Sequence, residues 1–546
     1  MNKFYILLLI TAFGCFSCQK AVQKDRLTFL HTSGQDIVNE AGEKIYLKGV
    51  GLGNWLLPEG YMWKFEDFAD RPRKIEKVVS DLIGKEKATY FWKEFRKNYI
   101  TESDIQRIAE LGFNSVRPAL NSRLFLTEDD NPVFLEEGFQ LLDSLISWCN
   151  KHKIYVIIDM HGAPGGQTGA NIDDSPNDLP ELFINPKYQD RLVNLWVKIA
   201  QRYKDLPTVA AYDLLNEPLP INTGSADKYK HLLVPLYKRI TSEIRKVDQK
   251  HMITLEGFNW SNDWSEFDKP FDNNVFYQFH YYCWDQPDNL KSIDYFIKKR
   301  DELNTPVWVG ETGEKGNTIY WGTSQYFEAN NIGFSFWPWK KMDTKNTPYS
   351  IKKPDNWDLI VAYTGGKPKP DIAIAEKAFT QLLENIKLVN CEYYPDVLNS
   401  ILNRIPGKIE AENYGHRGYN YSYFVRDTIK KSQYYRIEEP VQIKLINQNE
   451  NSDLSEQYIE LQESEWAVYH FKSQDSKKYQ FTIKASAEIV PARLSIELND
   501  KIIDFQIINK DWTEVTVDDF DLNQGTNKIK IFVRSNSLKL DWISFR

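Results

Sequence analysis

Cysteine is scarce: there are five in 546 residues, and two of them, Cys15 and Cys18, stand at the extreme N-terminus. The other three, Cys149, Cys283 and Cys391, cannot all pair, and their spacing matches no zinc motif. A disulfide-stapled or zinc-held fold is thereby set aside. Cys149 falls in an amphipathic helical pattern and reads as a buried apolar thiol, not as a nucleophile, which would need a basic partner. The chain has no long basic run and a formal net charge of −8. Nucleic acid, whose phosphates need clustered Lys and Arg, is excluded as a partner. No H-E-x-x-H arrangement and no internal repeat occurs. Beyond the first 18 residues nothing has the length and apolarity of a membrane span.

What is present begins with Lys3 and an apolar run over residues 4–13, followed by Gly14-Cys15-Phe16-Ser17-Cys18. The run is short for a bilayer, and its flanks suit a secretory signal over residues 1–18. A cysteine after Gly14 or Ser17 resembles the lipid-attachment cysteine of a bacterial lipoprotein signal. Cys18 is preferred over Cys15, and a plain cleaved signal is the alternative. The expectation is an exported chain at a cell surface or in a periplasm, touching the membrane only through an N-terminal lipid and acting as a monomer.

At this length two domains are expected. Residues 27–48 read as a hairpin, with 35–38 and 43–47 as its strands around Asn39-Glu40-Ala41-Gly42. Eight strand-like runs follow, at residues 46–50, 115–118, 155–159, 210–215, 252–256, 275–279, 306–310 and 333–337. They alternate with helical patterns such as 102–111, 138–151, 187–203, 227–247, 290–303 and 320–330. Thr101 with Asp104 has the form of a capping box. Eight such alternations predict an α/β fold, a (β/α)8 TIM barrel over residues 27–390. After residue 390 the helical period disappears. Alternating runs at 479–483, 494–498 and 528–533 predict an all-β sandwich over 405–546. No Pro- or Ser-rich linker separates the parts, so they are expected to pack closely.

Polar residues recur where the barrel strands end: Asn54 and Trp55, Arg117, His161, Asn216-Glu217, Glu256, His280 with Tyr282, Glu311 and Trp337. That end of this barrel is where active sites form. Two acids delivered to one rim are what cleaving a glycosidic bond requires: one protonates the departing oxygen, and the other attacks or stabilises the anomeric carbon. Glu217 is read as the general acid, kept neutral by a dry site and the nearby Glu311 charge. Glu311 is read as the ionised nucleophile, with Arg117 and Tyr282 holding it charged. Asn216 can donate to a hydroxyl beside the anomeric carbon. An arginine in a buried-strand context such as Val116-Arg117-Pro118 needs a carboxylate partner. His161 and His280 are either metal ligands or, the preferred reading, sugar-binding and supporting groups. Trp337 is the expected sugar platform. Trp55, Trp260, Trp264 and Trp284 are divided between rim and core.

Together, residues 47–56, Asn114-Ser115-Val116-Arg117, residues 159–165, Leu215-Asn216-Glu217-Pro218, His280-Tyr281-Tyr282 and Gly310-Glu311 resemble glycoside hydrolase family 5. The Gly-Asn-Trp and His-Gly-Ala-Pro-Gly stretches are most similar to its exo-β-1,3-glucanase branch. The resemblance implies a retaining glycosidase without a catalytic cofactor, with Glu217 as acid/base and Glu311 as nucleophile. It also implies Arg117, His161, Asn216, His280, Tyr282, Trp337 and Trp55 around a β-glycan, β-1,3- or β-1,4-glucan first and mannan second. The insertion over residues 62–99 and the long loop at 166–188 depart from the family pattern where distal sugar subsites form, leaving exo or endo action open. Transglycosylation shares the same intermediate, and a non-catalytic glycan-binding surface protein is the alternative of another class. Residues 408–414 and Leu540-Asp541-Trp542-Ile543 resemble the two ends of a family 6 carbohydrate-binding module. That likeness implies a structural calcium near Glu410, Glu412 and Asp541. Lys539 stands where that family carries a sugar-contacting Asn, so sugar binding and buttressing the barrel both remain open; Trp466 and Trp512 are the aromatic candidates.

Overall fold

The computed structural model describes residues 26–65, 67–282, 290–432, 435–446, 457–499 and 501–546. The expected signal with Cys15 and Cys18, together with Cys283 and Trp284, lies outside the described residues. Eight strands close into a parallel barrel: β3 (Lys48–Leu52), β4 (Ser115–Asn121), β5 (Tyr155–Gly162), β6 (Val209–Asp213), β7 (Met252–Glu256), β8 (Val275–Tyr281), β9 (Val307–Gly313) and β10 (Gly333–Trp337), with β10 returning to β3. All are buried but for half-buried Lys48 and Thr312, as strands covered on both faces must be. All eight fall on the runs expected from sequence.

A hairpin of β1 (Leu30–Ser33) and β2 (Asp36–Asn39) precedes the barrel and corrects one boundary. The expected second strand at 43–47 contributes a single Val38–Lys44 bridge, with Ile45 N–H on the Ile37 carbonyl and Asn39 N–H on the Glu43 carbonyl. Gly34, at φ 57°, makes the tighter turn on the other side and recruits Leu30–Ser33 instead. The helical pattern at 227–247 is likewise broken, into Ala226–Tyr229, a 3-10 turn at Lys230–Leu232, and Leu233–Arg245. Pro235 has no N–H to give and is tolerated only in a first helical turn. The capping box is formed: Thr101 N–H donates to Asp104 Oδ2 at 2.9 Å. Asp104 Oδ1 then receives the Trp339 indole and the Lys340 ammonium.

The insertion forms two helices, Pro72–Ile83 and Lys85–Tyr99; Phe91, Trp92 and Phe95 of the second pack with Trp63, and Phe91 also with Phe379, while Phe65 stacks on Trp357 beside them. Such ring pairs contribute about 0.5–1.5 kcal/mol each beyond their burial. Cys149 is buried, and burial pushes its thiol well up, as an apolar role requires.

Beyond residue 403 two six-stranded sheets stack as a sandwich. Strand Gly407–Glu410 pairs with the last strand, Leu538–Phe545, and one continuous core runs from barrel to sandwich. Glu328 on a barrel helix binds both Lys48 of β3 and Lys472 of the sandwich. Of the expected calcium ligands, Glu410 and Asp541 are neighbours, the Asp541 charge adding to the upward push of burial on Glu410. Glu410 Oε1 pairs with Lys408 Nζ at 2.5 Å and Asp541 Oδ2 with Lys484 Nζ at 2.7 Å. Lysine ammoniums therefore stand where a hard cation was expected, and among the described residues these carboxylates form no ligand cluster with Glu412. Lys539 pairs with Glu488. Trp466 lies between Phe424 and the Lys530 ammonium, and Trp512 packs edge-on against Tyr458.

Candidate active site

Barrel closure delivers the strand-end side chains to one mouth. A register shift between Phe279 and His280 sets His280 opposite Glu311 on the neighbouring strand. Glu217 stands just past β6 at φ 41°, a left-handed conformation that costs a residue with a side chain about 1–3 kcal/mol. It is pinned there: its N–H donates to Glu256 Oε2 at 2.7 Å, Asn216 N–H to the Met160 carbonyl, and Gln167 Nε2 to the Asn216 carbonyl.

Arg117 is the hub. Its Nε donates to Asp213 Oδ2 at 2.8 Å, Nη1 to Glu311 Oε1 at 2.6 Å, and Nη2 to Asn216 Oδ1 at 2.7 Å and Glu256 Oε1 at 3.0 Å. Asp159 lies 3.2 Å from Nη1. The carboxylate partner expected for this buried cation is thus a set of four. Tyr282 donates its phenol to Glu311 Oε2 at 2.6 Å. His280 Nδ1 lies 2.7 Å from Glu217 Oε1 and 3.6 Å from Glu311 Oε2. Glu217, His280 and Glu311 each offer a ligand atom within 4.8 Å of the others'.

Ionisation follows from these neighbours. Burial drives the Glu217 carboxyl up to about 7, with the Glu311 and Glu256 charges adding to it against the pull of His280. Burial pushes on Glu311 too, but His280, Arg117, His161 and the Tyr282 hydroxyl outweigh it and hold that carboxyl below its ordinary range. Glu256 is lowered in the same way. Burial disfavours a charged His280, yet Glu256, Glu311 and Glu217 together raise it well above the usual histidine value. Burial raises Asp159 and Asp213 as well, against the pull of the Arg117 guanidinium that both of them face. The cluster can ligate a divalent ion only by losing the His280 proton, which the surrounding carboxylates hold.

Burial lowers His161 to about 3, so it is neutral. Its Nδ1–H donates to Asp159 at 2.7 Å, and Nε2 accepts from Asn216 Nδ2 at 3.3 Å. Trp337 lies parallel to the His161 ring, with its indole N–H on the Tyr61 hydroxyl. A methyl group added at Gly51 or Gly53 would come within 2.2 Å or 2.5 Å of the Trp337 ring, so side chains there are excluded by contact.

Trp55 is corrected. It is 1% exposed, and its indole donates to the Arg96 carbonyl of the helical insertion at 2.7 Å. Asn54, at φ 65°, turns the chain away from the mouth and is itself held by Trp63 and Tyr99. The Gly-Asn-Trp stretch anchors the insertion here and contacts no reacting group. Trp264 is core, while Trp260 is half-buried.

Sequence reasoning passed over Glu59. It is 2% exposed, its Oε1 has no partner, and burial with the Glu311, Glu314 and Glu217 charges raises its carboxyl well above the usual range. Its only sequence signal is a lone acid a few residues past the first barrel strand. Asp159 and Asp213 were readable as acids inside otherwise apolar runs.

Residues 79–343 match the model of the cellulase family, glycosyl hydrolase family 5. A β-xylosidase of Phanerodontia chrysosporium is 35% identical over 243 residues, 44% of this chain and 48% of that one. A probable glucan 1,3-β-glucosidase A of Aspergillus fumigatus is 28% identical over 278 residues, covering 48% and 64%. The chain spans about half the length of the first of these relatives and under two thirds of the second. A solved β-glucanase of Saccharophagus degradans in complex with cellotetraose is 18% identical, covers 66% of this chain and 94% of its own, and has a TM-score of 0.42.

Proposed function

We propose that this protein is a retaining glycoside hydrolase acting on β-linked glucan, with Glu217 as acid/base and Glu311 as nucleophile. The observation that carries the reading is the pair itself: carboxylate oxygens within 4.8 Å of each other, one group held protonated near neutrality and the other held ionised. Retention needs carboxyl groups about 5–5.5 Å apart, whereas inversion needs about 6.5–9.5 Å to admit a water. Glu311 attacks the anomeric carbon as Glu217 gives its proton to the leaving oxygen. Glu217, now ionised, takes a proton from the water that releases the sugar from Glu311. Asn216, fixed by Arg117 and His161, offers its amide to the neighbouring sugar hydroxyl. The relative named as a glucan 1,3-β-glucosidase supports glucan; the one named as a β-xylosidase makes a β-xyloside the second reading. The apolar run and cysteines of the first 18 residues support an exported, lipid-anchored location.

The test is a glycan panel including β-1,3- and β-1,4-glucans, mannan and xylan, with products followed over time and the first-formed anomer read by NMR. Release of β-anomer from a glucan is expected. First-formed α-anomer removes the retaining mechanism, and turnover confined to mannan or xylan removes glucan.

A further inference from the structure

The insertion over residues 62–99 and the loop at 166–188 grip one another beside the mouth. Asp174 of the loop is 3% exposed and receives Arg73 N–H at 2.9 Å, Asn121 Nδ2 at 2.9 Å and the Arg123 guanidinium. Arg73 Nε donates to the Asp174 carbonyl at 2.9 Å. Arg71, 2% exposed, gives Nη1 to the Ser175 carbonyl at 3.2 Å and Nη2 to Asp178 at 2.7 Å. A buried guanidinium without such partners is costly, so the grip resists opening. Asp173 accepts from Thr168, Gly169 and Ser175 and folds the loop on itself. Both ends of this wall reach the site. At one end Arg71 follows Asp70, whose carbonyl accepts Gly60 N–H, and the next residue, Tyr61, holds the Trp337 indole. At the other, Gln167 donates to the carbonyls of His161 and Asn216. Between the loop, Asn121 and Arg73 only about 10 Å3 stays open, room for at most one water and not for a sugar ring.

We propose that this wall makes the enzyme exo-acting. It closes the mouth over the ends of β10, β3, β4 and β5, so that one terminal, non-reducing sugar fills the site, and Arg71 and Arg73 are the positioning residues that hold it shut. The inference rests on the hydrolase reading. Glu217 meets the leaving oxygen and follows β6, outside the wall, so the departing part of the chain lies on that side. The sugar carried by Glu311 lies toward Trp337, where a further residue would run into Tyr61 and the gripped loop. A polysaccharide cut in mid-chain has to continue past the acid pair on both sides. The opening here is narrow: the Glu217 side chain is 10% exposed and that of Glu311 5%.

The test follows the order in which products appear from laminaripentaose, cellopentaose and xylopentaose labelled at the reducing end, with an aryl β-glucoside and an aryl β-xyloside in parallel. Unlabelled monosaccharide and labelled tetramer are expected first, exceeding shorter labelled fragments about tenfold at early conversion. Arg71→Met combined with Arg73→Met frees the loop and should raise internal cleavage about tenfold relative to end cleavage. A mere loss of stability would lower both together and leave that ratio where it was. Arg73→Met alone, at a side chain a quarter exposed, is the milder change and should shift the ratio about threefold. It carries the decision if the double variant does not fold. Shorter labelled fragments appearing first, beside turnover of an aryl glycoside, overturn exo action and leave the hydrolase reading standing. A product ratio unchanged in the folded variants overturns the clamp. No turnover of either aryl glycoside or of any pentasaccharide overturns the hydrolase reading and this proposal with it.

Discussion

Buried carboxylates are treated in opposite ways in the two halves of this chain. In the sandwich, Glu410 and Asp541 each have a lysine of their own. At the barrel mouth five carboxylates, Asp159, Asp213, Glu217, Glu256 and Glu311, converge on two cations. One-to-one pairing satisfies a fold: Lys408 opposes the upward push that burial exerts on Glu410, and Asp541 raises its partner Lys484. A deficit of cations forces some acids to keep protons while others ionise, and that separation is what acid–base and nucleophilic chemistry use.

The largest break in the contrast comes from Glu311→Gln. It removes the nucleophile and the anion balancing Arg117, and hydrolysis of an activated aryl glycoside should fall on the order of 10^4-fold or more, by analogy with other deleted nucleophiles. Circular dichroism should remain that of the wild type. Activity within tenfold of wild type would remove Glu311 from the mechanism.

Glu217→Gln should cost roughly 10^2–10^4-fold, the range of a general acid, and least for substrates with good leaving groups. It should also alter stability against pH. The folded-state value of about 7 lies above the ordinary 4.5, so folding holds this proton more tightly than the unfolded chain does. The stabilisation is fully present below about pH 4.5 and is lost as pH rises to about 7, a change of about 3 kcal/mol for a shift of this size. Urea midpoints measured between pH 4.5 and 7 should therefore fall less steeply in Glu217→Gln than in wild type. Parallel curves would mean that the proton sits elsewhere in the cluster.

Arg117→Met against Lys484→Met compares the two regions directly. Removing a hub buried among four carboxylates should cost about 3–5 kcal/mol. Removing a lysine that is about a third exposed, with one partner, should cost under about 1 kcal/mol. Equal losses in denaturant titrations would show that the two arrangements do not differ energetically.

How much of this was legible follows the same division. The barrel could be read because its strands are continuous apolar runs ending in polar residues, a signal local in sequence. Glu217, Glu311 and Arg117 could be read because an acid or a cation closing such a run has few structural uses. The hairpin register depended on which turn wins, and neither strand is long enough to decide it. The four-carboxylate shell of Arg117 was hidden because its members lie on four different strands. Glu59 was hidden because an acid in a loop is indistinguishable by type from a solvated one. The lysines that face the expected calcium ligands, Lys408 on Glu410 and Lys484 on Asp541, were hidden because their reach depends on side-chain conformation.

Trp55 separates rim from core by the smallest effect. If the Gly-Asn-Trp stretch serves only to anchor the insertion, Trp55→Phe should lose the bond to the Arg96 carbonyl and part of a packed ring, destabilising the fold by about 1–2 kcal/mol. KM and kcat for a short glucan should stay within about twofold of wild type, because no reacting group touches that indole. A rise in KM without loss of stability would return Trp55 to the sugar-binding surface, and would mean that the helices Pro72–Ile83 and Lys85–Tyr99 extend the cleft as well as brace it.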